Sequence, residues 1–272
     1  MEITRAVIPA AGMGTRMLPI TKVIPKELIP AGSKPMIQYA IEEAIASGIK
    51  EIALVINKEK ELIRRYFESP AKKVYSSNIA VRNLSRIRSS CKLHFIYREG
   101  YRGLADAILG AKRFIDNQPF ALILPDNIFF SKIPATKQLI NGFYKESTYT
   151  FGLMKISKAE AKNFFDVGRI QYKRVKGDLY KITRLFPKKK LSFPIGSRKW
   201  GIKTVARTIL LPDFFDYIDW LKRRAKAELD DVPIYRRLVD EGMFLGRLIE
   251  GKCFDVGNFQ GLCSAIRFLY KQ

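Results

Sequence analysis

Short unbroken apolar runs alternate with apolar residues at helical spacing along the first half of the chain. Arg5-Ala6-Val7-Ile8-Pro9-Ala10 reads as a buried strand, and a glycine-bearing loop with a long irregular segment follows it. Pro35 then stands where proline's fixed φ suits the first turn of a helix. Met36, Tyr39, Ala40, Ile41, Ala44 and Ile45 form an apolar stripe that stops at Gly48, a helix-ending residue. Glu51-Ile52-Ala53-Leu54-Val55-Ile56 is the next strand, and Leu62, Ile63, Tyr66 and Phe67 mark the helix after it. Strand, helix and strand in this order predict a parallel sheet with right-handed crossovers.

The rhythm continues with a strand at Leu93 to Tyr97, a helix from about Leu104 to Phe114, and a strand at Phe120 to Leu124 that ends in Pro125-Asp126. Functional groups in such sheets gather at the carboxyl ends of strands, where both the glycine loop and Asp126 fall. Beyond Lys132 a helix runs to about Lys145. Strand candidates follow at Tyr149 to Lys155, Gly168 to Tyr172, Leu179 to Leu185 and Thr204 to Leu211, several of them suggesting antiparallel additions. The chain returns to helix at Pro212 to Leu229, Val232 to Glu241 and Phe259 to Tyr270. With no repeat, low-complexity tract or linker, residues 1–272 are expected to form one continuous α/β domain on a mixed, mainly parallel sheet flanked by helices.

Composition narrows the classes without changing that architecture. The 272 residues, 47% of them hydrophobic, are enough to bury a core, so disordered and fibrous classes are excluded. No run approaches the ~20 apolar residues of a membrane span. Cys91, Cys253 and Cys263 match neither a disulfide framework nor a zinc site, which fits a reducing cytoplasm. The single histidine, His94, removes multi-histidine metal sites and disfavours Ser-His-Asp or Cys-His chemistry; it sits in a strand-like run, where a structural role is expected.

The net charge of +23 invites an anionic partner. Its distribution weakens a nucleic-acid reading, because residues 60–102 hold 11 basic against 3 acidic residues and residues 155–207 hold 16 against 3. Both stretches are broken by apolar residues and read as solvated faces or a phosphate-attracting rim; no nucleic-acid recognition motif accompanies them.

The chemistry is concentrated in Ala10-Ala11-Gly12-Met13-Gly14-Thr15-Arg16, a strand-following loop whose glycines let backbone N–H groups approach a phosphate. Met17 stands where a dinucleotide fingerprint has its third glycine, and the second strand ends in Ile56-Asn57 without an acidic residue for a ribose, so a dehydrogenase is disfavoured. The Gly-Lys-Ser/Thr of a P-loop is missing as well. What remains is a glycine loop followed by Arg16, Lys22 and Lys26 among Pro19, Pro25 and Pro30. Cations on a proline-stiffened loop suit a polyphosphate.

Residues 6 to 39, running Ala-Val-Ile-Pro-Ala-Ala-Gly-Met-Gly-Thr-Arg-Met-Leu-Pro-Ile-Thr-Lys-Val-Ile-Pro-Lys-Glu-Leu-Ile-Pro and on to Lys34-Pro35-Met36-Ile37-Gln38-Tyr39, resemble the signature of bacterial UTP–glucose-1-phosphate uridylyltransferases. These belong among the sugar-1-phosphate nucleotidylyltransferases. Three later segments follow the family's order: Gly103-Leu104-Ala105-Asp106-Ala107, Leu124-Pro125-Asp126 and Phe254-Asp255-Val256-Gly257. The resemblance implies a Rossmann-like nucleotide-diphospho-sugar transferase fold, with about residues 1–130 as the nucleotide-binding half and about 131–272 as the sugar-phosphate-binding half. It implies UTP and a sugar 1-phosphate as substrates, Mg2+ on Asp126 and Asp255, and no membrane partner. By the same resemblance Arg16 and Lys26 are the catalytic cations. Ala11, Gly12, Gly14, Thr15, Glu99, Gly103 and Asp126 join them around the nucleotide; Gly168, Lys188 and Lys203 are the candidates of this chain for the sugar phosphate. A homo-oligomer is compatible with the sequence.

The sequence departs from that pattern in three places. With the intervening loop shortened by about one residue, the family's base-reading glutamine falls at Glu99, whose carboxylate cannot donate an amide N–H. Leu185 and Phe186, before Pro187-Lys188-Lys189-Lys190, stand where the family has the Glu-Lys that holds sugar hydroxyls and phosphate. The family's Gly-Arg-Tyr strand has become Ala206-Arg207-Thr208. Three readings follow: a glucose-1-phosphate enzyme in which Lys188, Lys189, Lys190 or Lys203 supplies the phosphate contact; a nucleotidylyltransferase for another phosphorylated acceptor or NTP; and a catalytically weakened nucleotide-binding regulator.

Overall fold

A computed structural model of the chain describes residues 2–70, 73–75, 77–99, 102–161, 164, 170–186, 199–224 and 228–271. In chain order its elements are β1 (Arg5–Pro9), the short pair β2 (Pro30–Ala31) and β3 (Lys34–Pro35), α1 (Met36–Ala46), β4 (Glu51–Ile56), α2 (Glu61–Glu68), α3 (Ile79–Ser90) and β5 (Lys92–Tyr97). Then come α4 (Leu104–Gly110), α5 (Lys112–Ile115), β6 (Phe120–Ile123), β7 (Asn127–Phe130), α6 (Ala135–Glu146), β8 (Tyr149–Ser157) and α7 (Lys158–Ala161). The remainder is β9 (Ile170–Lys176), β10 (Leu179–Leu185), β11 (Trp200–Leu210), α8 (Phe214–Lys222), α9 (Val232–Asp240), β12 (Phe244–Leu248), β13 (Lys252–Asp255) and α10 (Phe259–Leu269).

Nine strands make one sheet in the order β5-β4-β1-β6-β11-β8-β12-β10-β9. β5, β4, β1 and β6 are mutually parallel, as the unbroken apolar runs of β4, β1 and β6 anticipate for strands covered on both faces. β11 runs against both β6 and β8, β12 runs with β8, β10 reverses, and β9 reverses again. All strands but β11 and β10 therefore share one direction. From β1 the chain moves outward through β4 and β5, then returns to place β6 on the other side of β1. The carboxyl ends of β1 and β6 thus flank a switch point, where an open α/β sheet leaves a crevice.

Side chains of period two feed separate cores on the two faces. Ala6, Ile8, Ile52 and Leu54 pack with Ile37 and Ile41 of α1 and Leu139 of α6. Val7, Ala53 and Val55 face the other way, with Ile108 of α4, Phe214 of α8 and Leu238 of α9. A third cluster lies under the glycine loop, joining Met17 and Ile29 to Met36, to Ile128 and Phe254 of a β7–β13 sheet, and to Leu262 of α10. Among the described residues no helix is long and apolar enough to cross a membrane.

Several elements differ from the sequence pattern. The helix expected from 104 to 114 is two helices meeting at Ala111. The one expected to reach Leu229 ends at Lys222, and the Leu229 backbone is engaged elsewhere. It donates to Arg102 O at 2.7 Å and accepts from Ala105 N at 3.0 Å, bracing the turn before α4. α3, β7, β12 and β13 have no counterpart in the sequence reading.

Candidate active site

The loop after β1 turns back on itself at Gly14, whose φ of +70° belongs to the left-handed region where glycine carries no steric cost. A Cβ there would come within 3.1 Å of Thr21 Cγ2 and 3.3 Å of Lys26 Cβ. The Thr21 hydroxyl donates to Gly14 O at 2.9 Å, and buried Met17 anchors the loop from below. This fold-back carries Lys26 to the end of β6, with Nζ 2.8 Å from Asp126 Oδ2. Arg16 reaches the same carboxylate at 3.6 Å and extends its other terminal nitrogen to within 4.0 Å of Asp255 Oδ2. Lys22 is exposed and lines neither cavity of the site.

Asp126 and Asp255 are far apart in sequence and adjacent in space because β13 pairs with β7, setting Asp255 opposite Asn127. Val256 N donates to Asp126 O at 2.9 Å, and Gly257 N to Asp255 Oδ1 at 3.2 Å. Burial opposes the Asp126 carboxylate, but the Lys26 and Arg16 cations hold its pKa well below the ordinary carboxylate range. Burial likewise opposes the Lys26 ammonium, which Asp126 and Glu27 nevertheless raise above the ordinary lysine value. Both groups stay charged across the neutral range.

Two hard carboxylates under the glycine loop are a donor set that a divalent cation takes when phosphate oxygens and water complete its shell. The space beside them fits that use: a Cβ on Gly257 would lie 3.0 Å from Asp126 Oδ2 and 3.2 Å from Asp255 Oδ1. Among the described residues no group of three or more His, Cys, Asp or Glu side chains could hold a metal by itself.

Two cavities meet at Arg16, Leu104, Leu124 and Asp126. One lies over the loop and is lined by Ala11, Gly12, Lys26, Gly103, Arg98, Arg102 and Asp106. The other extends toward β10 and β11, between Leu122, Phe151, Leu185, Phe186, Lys203 and Asp255. The apolar pair Leu185-Phe186 therefore forms part of a cavity wall, with the Arg184 guanidinium 5.2 Å from the Phe186 ring centre. Lys203, only 3% exposed, holds its ammonium 4.0 Å from the Phe164 ring centre. Burial lowers its pKa, against which Cys253 and Asp255 act.

Of the residues expected around a nucleotide, Ala11, Gly12, Arg16, Lys26, Gly103 and Asp126 line the loop-side cavity, Gly14 shapes the loop, and Thr15 is exposed. Glu99 is exposed and does not line that cavity, whereas its neighbour Arg98 does. Arg98 is held there by Asp106, with Nη2 to Oδ1 at 2.5 Å, and its backbone N–H still bonds Ile56 O, so the chain enters the cleft one residue earlier than expected. An alignment without the one-residue shortening would have pointed to Arg98. Gly168 and Lys188 lie outside the described residues, as do Lys189 and Lys190. His94 bonds Glu51 at 2.7 Å near the opposite, amino-terminal end of β4, in the structural role expected of it. Burial pushes the Cys253 thiol up to about 12 and the Cys91 thiol up to about 11, so neither is poised as a nucleophile.

The chain is similar to known proteins over nearly its whole length. Residues 5–272 match the model of the nucleotidyl transferase family. The UTP–glucose-1-phosphate uridylyltransferase 1 of Staphylococcus saprophyticus is 31% identical over 279 residues, covering 100% of this chain and 94% of that protein. The UTP–glucose-1-phosphate uridylyltransferase of Staphylococcus epidermidis is 31% identical over 265 residues, covering 96% and 90%. Among solved structures, a UDP-glucose pyrophosphorylase complexed with UDP-glucose superposes with a TM-score of 0.84 at 28% identity, over 99% of both chains.

Proposed function

The chain belongs to the nucleotidyl transferase family, and from that premise we propose that it is a UTP–glucose-1-phosphate uridylyltransferase, making UDP-glucose and pyrophosphate. A phosphate oxygen of glucose 1-phosphate attacks the α-phosphorus of UTP; the bond from that phosphorus to the bridging β-oxygen breaks and pyrophosphate leaves. No protein nucleophile is required, so the work of the chain is positioning and charge neutralisation. The observation that carries this reading is the convergence of Lys26 and Arg16 on Asp126, with Arg16 also reaching Asp255, at the mouth of two joined cavities.

In this reading the glycine loop, Arg16 and Lys26 hold the triphosphate, and the same cations meet the charge that builds on the departing pyrophosphate. Arg98 and Arg102 extend the basic lining along that cavity. Asp126 and Asp255 would hold Mg2+, which when bound supplies charge neutralisation at the phosphate oxygens. Lys203 faces the second cavity as the cation for the sugar phosphate, in place of the family lysine for which Phe186 stands. The three cysteines, none of them disulfide-bonded, accord with a reducing cytoplasm as the compartment.

The test crosses the four NTPs and dTTP with a panel of sugar 1-phosphates and reads pyrophosphate release. UTP with glucose 1-phosphate is expected to give the highest kcat/KM. A different best pair would redirect the substrate assignment, and absence of turnover for every pair with nucleotide binding retained would favour a regulatory protein.

A further inference from the structure

Arg207 of β11 is the largest fully buried side chain among the described residues, 1% exposed, and all five of its guanidinium N–H groups have acceptors. Nε donates to Glu43 Oε1 at 2.8 Å and Nη2 to Glu43 Oε2 at 2.7 Å, a fork against a carboxylate of α1. Nη1 donates to Leu124 O at 3.0 Å and Ala206 O at 2.9 Å, and Nη2 also to Asn127 O at 2.8 Å. Glu43 is seated in turn by Thr136, whose N–H and hydroxyl both donate to Oε1, at 3.0 and 2.6 Å. The Leu124 and Asn127 carbonyls bracket Pro125-Asp126. The guanidinium therefore grips both ends of the turn that carries the Asp126 carboxylate.

Burying such a pair is a poor route to stability, since well-packed apolar residues of similar volume often serve as well or better. What an apolar pair lacks is direction: two fixed donors aimed at two carbonyls define where the intervening residue points. We infer that Arg207, oriented by Glu43, is a positioning residue that sets the Asp126 carboxylate for divalent-metal binding. The inference rests on the nucleotidyltransferase reading of Asp126. It gives the arginine that remains in Ala206-Arg207-Thr208 a task on the metal side of the cleft.

The discriminating variant is the double substitution Glu43→Leu with Arg207→Met, which removes the charges while keeping apolar bulk. Thermal melting reports folding, electron paramagnetic resonance of Mn2+ with UTP reports metal affinity, and steady-state kinetics separate kcat from KM. The variant is expected to melt close to wild type, to bind Mn2+ at least tenfold more weakly, and to lose at least a hundredfold in kcat while the KM for UTP changes less than threefold. Unchanged Mn2+ affinity and kcat in the folded variant would make the pair merely structural and overturn the inference. Should the double variant not fold, Arg207→Lys serves, because a lysine keeps the charge and lacks the fixed fork. A severalfold loss of Mn2+ affinity is then expected, and wild-type affinity would overturn the proposal. If the wild-type protein turned over no substrate pair, the functional reading would fall, while the change in Mn2+ affinity would still report on the clamp.

Discussion

A lysine ammonium at 3% exposure in a largely apolar wall has lost most of its hydration, and Lys203 meets an aromatic face in the Phe164 ring at 4.0 Å. A bound phosphate would supply a counter-charge in place of the hydration that burial has removed. Lys203→Met keeps the volume and removes the charge. We expect it to raise the KM for glucose 1-phosphate by roughly ten- to a hundredfold, as for a lost charge-assisted hydrogen bond worth about 1.5–3 kcal/mol. The KM for UTP and the melting temperature should be little changed; an acceptor KM within twofold of wild type would make Lys203 a core residue. Single residues were legible in the sequence where their chemistry is local. Gly12, Gly14, Arg16 and Lys26 share one loop, and Asp126 ends a strand. Glu43 was not, because a carboxylate in an apolar helix stripe acquires meaning only from an arginine 164 positions away. Arg98 was missed through a one-residue displacement at the end of β5.

At the scale of elements, the site depends on the four-residue strands β7 and β13, whose pairing sets Asp255 opposite Asn127 and beside Asp126. Gly257 follows directly and faces both carboxylates. Because its φ lies outside the left-handed range, an alanine there meets steric hindrance at the carboxylates without backbone strain. Gly257→Ala should therefore lower kcat by at least about tenfold and raise the Mg2+ concentration needed for half-maximal rate, with a melting temperature near wild type. Unaltered kinetics would mean that the space beside the carboxylates is not used. The central parallel strands were read correctly because burial on both faces leaves an apolar run with no competing pattern. β7 and β13 were not, being short and half covered. β12 was hidden by Gly246, where a Cβ would lie 2.4 Å from the Leu153 side chain. α3 was hidden by its polar sequence, in which only Ile87 is fully buried.

For the whole molecule, the sheet order explains why residues from every part of the chain meet in one crevice. β1 and β6 bring the glycine loop and Asp126 to the switch point, β11 brings Lys203 and Arg207 alongside, and the end of β13 closes the far side with Asp255. The excess positive charge is only partly enlisted: within 60–102, Arg98 and Arg102 line the cleft, while the arginines of α2 and α3 do not. The two converging aspartates are the feature on which a nucleotidyltransferase of this design stands or falls. UDP-glucose formation by the wild-type protein should be compared with that by Asp126→Asn and Asp255→Asn at saturating Mg2+, with folding checked by thermal melting. We predict product from the wild type and a loss of at least about a hundredfold in each folded variant, as expected when several kcal/mol of charge stabilisation at the reacting phosphate is removed. Near-normal UDP-glucose formation by either variant would contradict the assignment of that carboxylate, and by both would contradict the site itself.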